Sequence, residues 1–316
     1  MSLENEAAGR HPPGLSTLFF TEMWERFSYY GMRAFLVLFM VAPISAGGLG
    51  FSDPRAGMIY GLYTSMVYLL SVPGGWLADR YLGQQQAVLA GGLLIAAGHV
   101  SLALPALPTF YLGLCLVAAG TGLLKPNIST LLGRLYEKAD VRRDAGFTIF
   151  YMGINLGAFA APLVCGTWLA ESEAVRGWLK GLGLPPSAAW HAAFGAAAVG
   201  MLLGLTQYIL GRSRLGGAGL PPERPASAPS ARSIAMILGG GFLLLLVFGL
   251  VFRSFAPSAE TVGKIFDVLL PLLAVGTLIG LFLFGPQSAQ ERKQMLVILI
   301  LFAAAAVFWG CFEQAG

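Results

Sequence analysis

Charged residues are scarce in this sequence, and their scarcity argues against a soluble protein. Asp, Glu, Lys and Arg make up 11% of the chain and apolar residues 56%, so a soluble domain could not be given a charged shell. The apolar residues cluster in runs of about the 20 residues that a helix needs to cross a bilayer. The small net charge of +4 does not indicate nucleic-acid binding. The sequence therefore predicts an all-α polytopic membrane protein.

Other chemistry-bearing residues are also few. The three cysteines, Cys115, Cys165 and Cys311, lie inside apolar runs, so a disulfide or metal site is not expected. The N-terminal stretch is polar and lacks the plan of a signal peptide. No nucleophile–base pair or cluster of metal ligands stands out, so we predict neither an enzyme nor a cofactor.

Apolar segments divide the chain into predicted transmembrane helices, nine in all if residues 233–284 form two full spans. Residues 1–16 are expected to be a cytoplasmic tail. The stretch 211–232 is rich in Gly, Pro, Ala and Ser, which predicts a flexible cytoplasmic linker. Because Gly316 follows directly on the last apolar run, we expect the chain to be incomplete. The segments are 17–42, 56–77, 86–104, 108–133, 145–170, 189–210, 233–254, 262–284 and 294–316.

The distribution of basic residues predicts the orientation. With the N-terminus inside, the inner tail, loops and linker hold twelve Lys and Arg residues and the outer loops five. Inner loops of membrane proteins carry the excess of positive charge. We therefore expect a cytoplasmic N-terminus.

The first helix carries charges that cannot face lipid. Glu22, Glu25, Arg26 and Arg33 stand in TEMWERFSYYGMR and, with the nearby tyrosines, fall within an arc of roughly 140° on a helix. Each charge at the bilayer centre costs about 2.5–3.5 kcal/mol. The stripe is interpreted as a substrate and ion pathway. The alternatives are charges that snorkel to the interface and a structural salt bridge between helices.

The charged stripe and several other segments together carry a family resemblance. In order along the chain they are Glu22-x-x-Glu25-Arg26-Phe27, GGWLADRYLG, Lys125 within GTGLLKPN, FYMGINLG and FWGCFEQ. This set resembles the proton-dependent oligopeptide transporters, the peptide-transporter branch of the major facilitator superfamily. The resemblance implies a six-helix bundle at 17–210, an inserted hairpin of the prokaryotic type at 233–285, and the seventh helix of the fold at 286–316, which would begin the second bundle.

The resemblance also implies a function, a proton-coupled symporter that imports di- and tripeptides by alternating access. A monomer in a bacterial inner membrane is expected, with protons as the coupling ion and no cofactor. The alternatives are a proton-coupled facilitator for another solute, such as nitrate or a drug, and a non-transporting receptor or scaffold. The double glutamate with an arginine argues against the first. A buried charge stripe would have no use in the second.

Site residues are predicted from the resemblance and from depth along the helices. Lys125 lies at the depth of the two glutamates, which are its expected partners. Arg33 and Glu313 lie at a similar depth, so we expect them to pair as an outer gate. Asp79 and Arg80 are expected to form a conformational loop, although an ordinary charged loop remains an alternative for Arg80. The predicted proton-coupling residues are Glu22, Glu25, Arg26 and Lys125, and the predicted substrate-binding residues are Arg26, Tyr29, Tyr30, Arg33, Tyr68, Lys125, Asn155 and Trp309. For the tyrosines and Trp309, interface anchoring or packing is the competing interpretation.

Overall fold

The computed structural model describes residues 10–137, 139–185, 187–222 and 288–312, with single positions between 261 and 280. Every secondary-structure element in these residues is a helix, which confirms the predicted all-α class for the described part of the chain. The α-helices are α1 Gly14–Val41, α2 Asp53–Leu69, α3 Ser71–Leu77, α4 Gly83–Leu102, α5 Leu107–Arg134, α6 Arg143–Ala161, α7 Glu173–Gly181, α8 Ala188–Gly211 and α9 Ala289–Phe312. Two π-helical segments, Ala78–Leu82 and Pro162–Ala170, extend α3 and α6.

Four helical stretches of the described residues are long and apolar enough to cross a membrane. One of them, Asp53–Leu102, is 50 residues long and covers α2, α3 and α4, so it includes the predicted segment 56–77 and all but the last two residues of 86–104. Helix α1, with 28 residues, is also long enough but carries the four charges noted above. The other three stretches are Leu107–Arg134, Arg143–Ala170 and Ala188–Leu215.

Helix α1 packs mainly against α6 and α8. Glycines on the neighbouring helices admit its bulky side chains: a Cβ at Gly204 would lie 2.8 Å from Cβ of Trp24, and Gly200 faces the Phe27 ring in the same way. Small residues at helix interfaces let membrane helices approach closely, since dispersion rather than the hydrophobic effect holds them together in lipid. The aromatic face of α1 is therefore used for packing, and the charged face points elsewhere.

Glycines also let α4 and α5 pack closely. A Cβ at Gly91 would lie 2.7 Å from the carbonyl oxygen of Gly120, too close for any larger residue without a shift of the helices. Asn127 on α5 ties this pair to α3, because its side-chain amide donates to the Gly74 carbonyl at 3.2 Å. Helix α5, which carries the predicted site residue Lys125, is thus fixed on two sides.

The beginning of the predicted flexible linker 211–232 is ordered, which corrects that prediction up to residue 222. Leu215 is 3% exposed and belongs to the apolar core. The Gln85 side chain on α4 donates to the Ala218 carbonyl at 2.7 Å and accepts from Arg212 at 3.1 Å. The composition of the linker does not predict this order, because the order depends on hydrogen bonds to Gln85 on another helix and on the burial of Leu215. The rest of the linker lies outside the described residues.

Residues Leu238–Gly316 form a separate compact unit, in which α9 is the described helix. Apart from single positions, the predicted hairpin 233–285 falls outside the described residues. The domain boundaries given above therefore stay predictions.

Candidate functional site: a buried charge cluster on the first helix

Three charged side chains of α1 form a cluster that is closed to solvent. Glu22, Glu25 and Arg26 are 3%, 0% and 4% exposed. The Arg26 Nε lies 3.2 Å from Glu22 Oε1 and also hydrogen-bonds to Glu25 Oε2. The i,i+4 spacing of Glu22 and Arg26 places both on one helix face, as predicted. We call these three residues the triad.

The triad is not fully satisfied by its own members. Glu22 Oε2, Glu25 Oε1 and Arg26 Nη2 are buried and have no hydrogen-bond partner among the described residues. Two carboxylates and one guanidinium leave one negative charge uncompensated when all three are ionised. Burying such a charge is costly unless it is paired or neutralised. The arrangement can therefore accept one further positive charge, either a proton or a cation.

Local structure fixes the triad in place. Gly157 on α6 lies directly behind it, where a Cβ would come within 3.1 Å of the Arg26 Cβ. Ser28 donates to the Glu25 carbonyl at 2.8 Å, and the guanidinium of Arg26 lies 5.2 Å from the centre of the Tyr29 ring. A larger residue at position 157 would push α6 away from the cluster.

Lys125 does not pair with the glutamates as predicted. Its ammonium lies 4.8 Å from the centre of the Tyr68 ring, and it makes no salt bridge with any carboxylate of the described residues. Arg26 occupies one oxygen of each glutamate, which leaves Lys125 to act on Glu22 and Glu25 only through its longer-range electrostatic field. The predicted ion pair between Lys125 and the glutamates is therefore wrong, and the predicted role of Lys125 in proton coupling stays a prediction.

Arg33 lies two turns farther along α1, with aromatic partners on α2. Its Nε donates to the Tyr60 hydroxyl, and its guanidinium lies 5.7 Å from the centre of that ring. One turn farther along α2, Tyr63 stacks on Tyr29 with a centroid distance of 6.5 Å. Tyr60 and Tyr63 were not predicted as site residues, although their i,i+3 spacing on an apolar helix indicates that they share a face. The predicted partner Glu313 lies outside the described residues.

The remaining predicted substrate residues do not form one cluster among the described residues. Tyr68 is 63% exposed, and Asn155 on α6 is exposed as well. Tyr30 is half-buried beside Arg26, 6.0 Å from its guanidinium. Trp309 lies on α9, and its side chain is not among those that the structure describes. The structure thus brings Tyr29 and Tyr30 to the triad and does not bring Asn155 into hydrogen-bond contact with it in the described part of the chain.

The predicted conformational loop lies at the end of α3. Asp79 accepts from the Gln84 side chain at 2.6 Å and lies 3.7 Å from Arg134 on α5. Arg80 is exposed. Asp79 therefore connects the loop to α5.

Comparison with known proteins identifies the family. The sequence profile of the POT family matches residues 85–316, which is more than half of the chain. A di-/tripeptide transporter of Lactococcus lactis subsp. cremoris is 38% identical over 96% of this chain and 59% of its own length. The chain belongs to the POT family. Uncharacterized transporter YclF of Bacillus subtilis is 41% identical over 96% of this chain and 58% of its own length.

Solved structures of POT proteins have the same fold. The crystal structure of a peptide transporter POT in complex with sulfate matches with a TM-score of 0.77 and 41% identity, over 96% of this chain and 59% of that one. A POT family transporter in complex with 5-aminolevulinic acid matches with a TM-score of 0.78 and 36% identity, over 95% of this chain and 59% of that one. These matches confirm the predicted family and its multi-pass membrane fold of the major facilitator type. They also show that the chain spans about three fifths of the length of the POT relatives it matches.

Proposed function

We propose that this chain is part of a proton-coupled symporter that imports di- and tripeptides by alternating access. The observation that carries the proposal is the triad, in which two fully buried carboxylates share one guanidinium. A cluster with one uncompensated negative charge is suited to bind and release a proton. The named peptide transporters among the relatives support the peptide as substrate.

In the proposed cycle a proton binds to Glu22 or Glu25. The loss of one negative charge weakens the hold of the glutamates on Arg26 and their field at Lys125. Both cations would then be available to a peptide carboxylate, whose planar geometry suits the guanidinium in particular. Release of peptide and proton toward the cytoplasm would restore the triad as the structure has it.

The remaining predicted residues complete the proposed pathway. Tyr29, Tyr30, Tyr68, Asn155 and Trp309 would line the peptide site. Arg33 and Glu313 would pair to close the outer mouth. While they are apart, the hydrogen bond to Tyr60 would hold Arg33 in position. Asp79 and Arg80 would hold the inner loop, with Arg134 as the partner of Asp79.

The proposed setting is a bacterial inner membrane, with a cytoplasmic N-terminus and a monomeric transporter. The excess of basic residues on the predicted inner side supports the orientation. A membrane potential of 100 mV supplies about 2.3 kcal/mol for each proton that enters, enough for roughly 50-fold accumulation of peptide.

The direct test is dipeptide uptake by the full-length protein in proteoliposomes whose lumen is more alkaline than the outside. We expect accumulation above equilibrium that collapses when a protonophore is added. Nitrate and a cationic drug are tested as substrates in the same proteoliposomes, because gradient-driven uptake of either one without uptake of the dipeptide would favour the rival facilitator. Uptake that ignores the pH gradient would contradict proton coupling.

A further inference from the structure

Tyr63 on α2 has a buried hydroxyl with no partner among the described residues. The side chain is 4% exposed and lies in the apolar core formed within residues 10–222, so its burial is complete without any further part of the protein. Buried tyrosine hydroxyls normally find a hydrogen-bond partner, because a buried hydroxyl without one has lost its hydrogen bonds to water and gained none in the fold. Phenylalanine would stack on Tyr29 equally well. Packing alone therefore does not account for the hydroxyl.

A second buried atom without a partner belongs to the triad. Glu25 is 0% exposed, and its Oε1 has no hydrogen-bond partner in the described part of the chain, whereas its Oε2 is held by Arg26. The charged and titratable groups that act on Tyr63 are Tyr29, Glu25 and Arg26 from α1, and Tyr60 from its own helix. The geometry links the two groups through α1: Tyr63 stacks on Tyr29, the centre of the Tyr29 ring lies 5.2 Å from the Arg26 guanidinium, and Arg26 is bonded to Glu25. Neither the Tyr63 hydroxyl nor Glu25 Oε1 has its hydrogen-bonding capacity filled.

Tyr63 lies between the triad and Arg33, which we call the inner and the outer layer of α1. The bond from Arg33 to Tyr60 sets α1 and α2 side by side, and the ring of Tyr63 lies against Tyr29, one turn nearer to the triad than Arg33. Glu25 and Arg33 are eight residues apart, about 12 Å along the axis. A proton that comes from the outer layer must cross this distance through buried groups.

We propose that the Tyr63 hydroxyl relays the proton from the outer layer to Glu25. This inference rests on the proposed symport and names a residue of its proton path. A hydronium ion in the outer pathway gives a proton to the Tyr63 oxygen and becomes water, while the phenolic hydrogen passes to Glu25 Oε1. One O–H bond forms and one breaks at the phenol, which is neutral before and after the step. Since Tyr63 and Glu25 do not hydrogen-bond in this structure, a bridging water or a rotation of the side chain completes the transfer.

Tyr63→Phe tests the relay because it removes the hydroxyl and keeps the ring. In proteoliposomes of the full-length protein, we expect peptide uptake driven by a pH gradient to fall by about tenfold or more, while peptide exchange at equal pH stays within about twofold of the wild type. Exchange needs the same fold and peptide site but no net movement of protons. The matched control is Tyr208→Phe, which removes a buried hydroxyl that donates to the Gln85 carbonyl at 2.9 Å. This control should change both assays by the same factor.

Uptake and exchange together distinguish a proton relay from a purely structural role of Tyr63. Driven uptake equal to the wild type in Tyr63→Phe overturns the relay. Parallel loss of uptake and exchange also overturns it, because that pattern belongs to a purely structural residue. If the wild type itself shows exchange but no uptake driven by the gradient, the proposed symport fails, and the relay fails with it.

Discussion

Replacing Arg26 with methionine removes the guanidinium that lies against both Glu22 and Glu25, while it keeps an unbranched side chain of similar reach. The two carboxylates are then left in a site that is at most 3% exposed, without their cation. Removal of one partner from a buried ion pair costs about 3–5 kcal/mol. At about 2–4 °C per kcal/mol for a unit of this size, the melting temperature should fall on the order of 10 °C.

The control for this prediction is a triple variant that combines Arg26→Met with Glu22→Gln and Glu25→Gln. It removes every charge of the triad at nearly constant volume, and replacing a whole buried ion cluster by neutral groups is often neutral or stabilising. Thermal unfolding of the purified full-length protein in detergent should therefore show most of the lost stability restored. Equal melting temperatures for Arg26→Met and the wild type would refute the reasoning. So would a triple variant as unstable as Arg26→Met.

Two further predictions concern the described residues outside the membrane helices or at their ends. Gln85→Ala should free the ordered stretch after α8, because it removes the side-chain bonds to the Gly216 and Ala218 carbonyls and from Arg212, each worth about 0.5–1.5 kcal/mol. Faster tryptic cleavage at Arg212 would show this, and unchanged cleavage would contradict it. Hydrogen bonds from Arg142 lower the pKa of Asp140 to about 2, from an ordinary value of 3.8. The lowered pKa stabilises the folded state above pH 3.8, and this stability is lost as the pH falls toward 2. Asp140→Asn should therefore lower the melting temperature at pH 7 and match the wild type near pH 2, and a difference independent of pH would refute this.

The triad could be predicted from the sequence because its geometry depends on one helix alone. The i,i+3 and i,i+4 spacing of Glu22, Glu25 and Arg26 fixes which side chains meet whatever surrounds the helix. The cost of burying four charges then excluded a lipid-facing stripe.

Contacts between helices could not be predicted in the same way. Lys125 was assigned to the glutamates by depth, but in the structure its ammonium lies 4.8 Å from the centre of the Tyr68 ring. Depth along a helix does not fix which neighbour a side chain on another helix contacts. Tyr60 and Tyr63 were missed because their partners lie on α1, and apolar spacing along α2 does not reveal those partners. The order of the linker depends on Gln85, whose role is invisible in the composition of the linker itself.

The central claim is that the triad carries the coupled proton, and peptide-induced proton entry tests it most directly. A pH-sensitive dye inside proteoliposomes of the full-length protein reports the pH of the lumen when dipeptide is added outside. We predict acidification with the wild type and none with Glu22→Gln or Glu25→Gln, while both variants continue to exchange peptide. Acidification that persists in both variants would contradict the account.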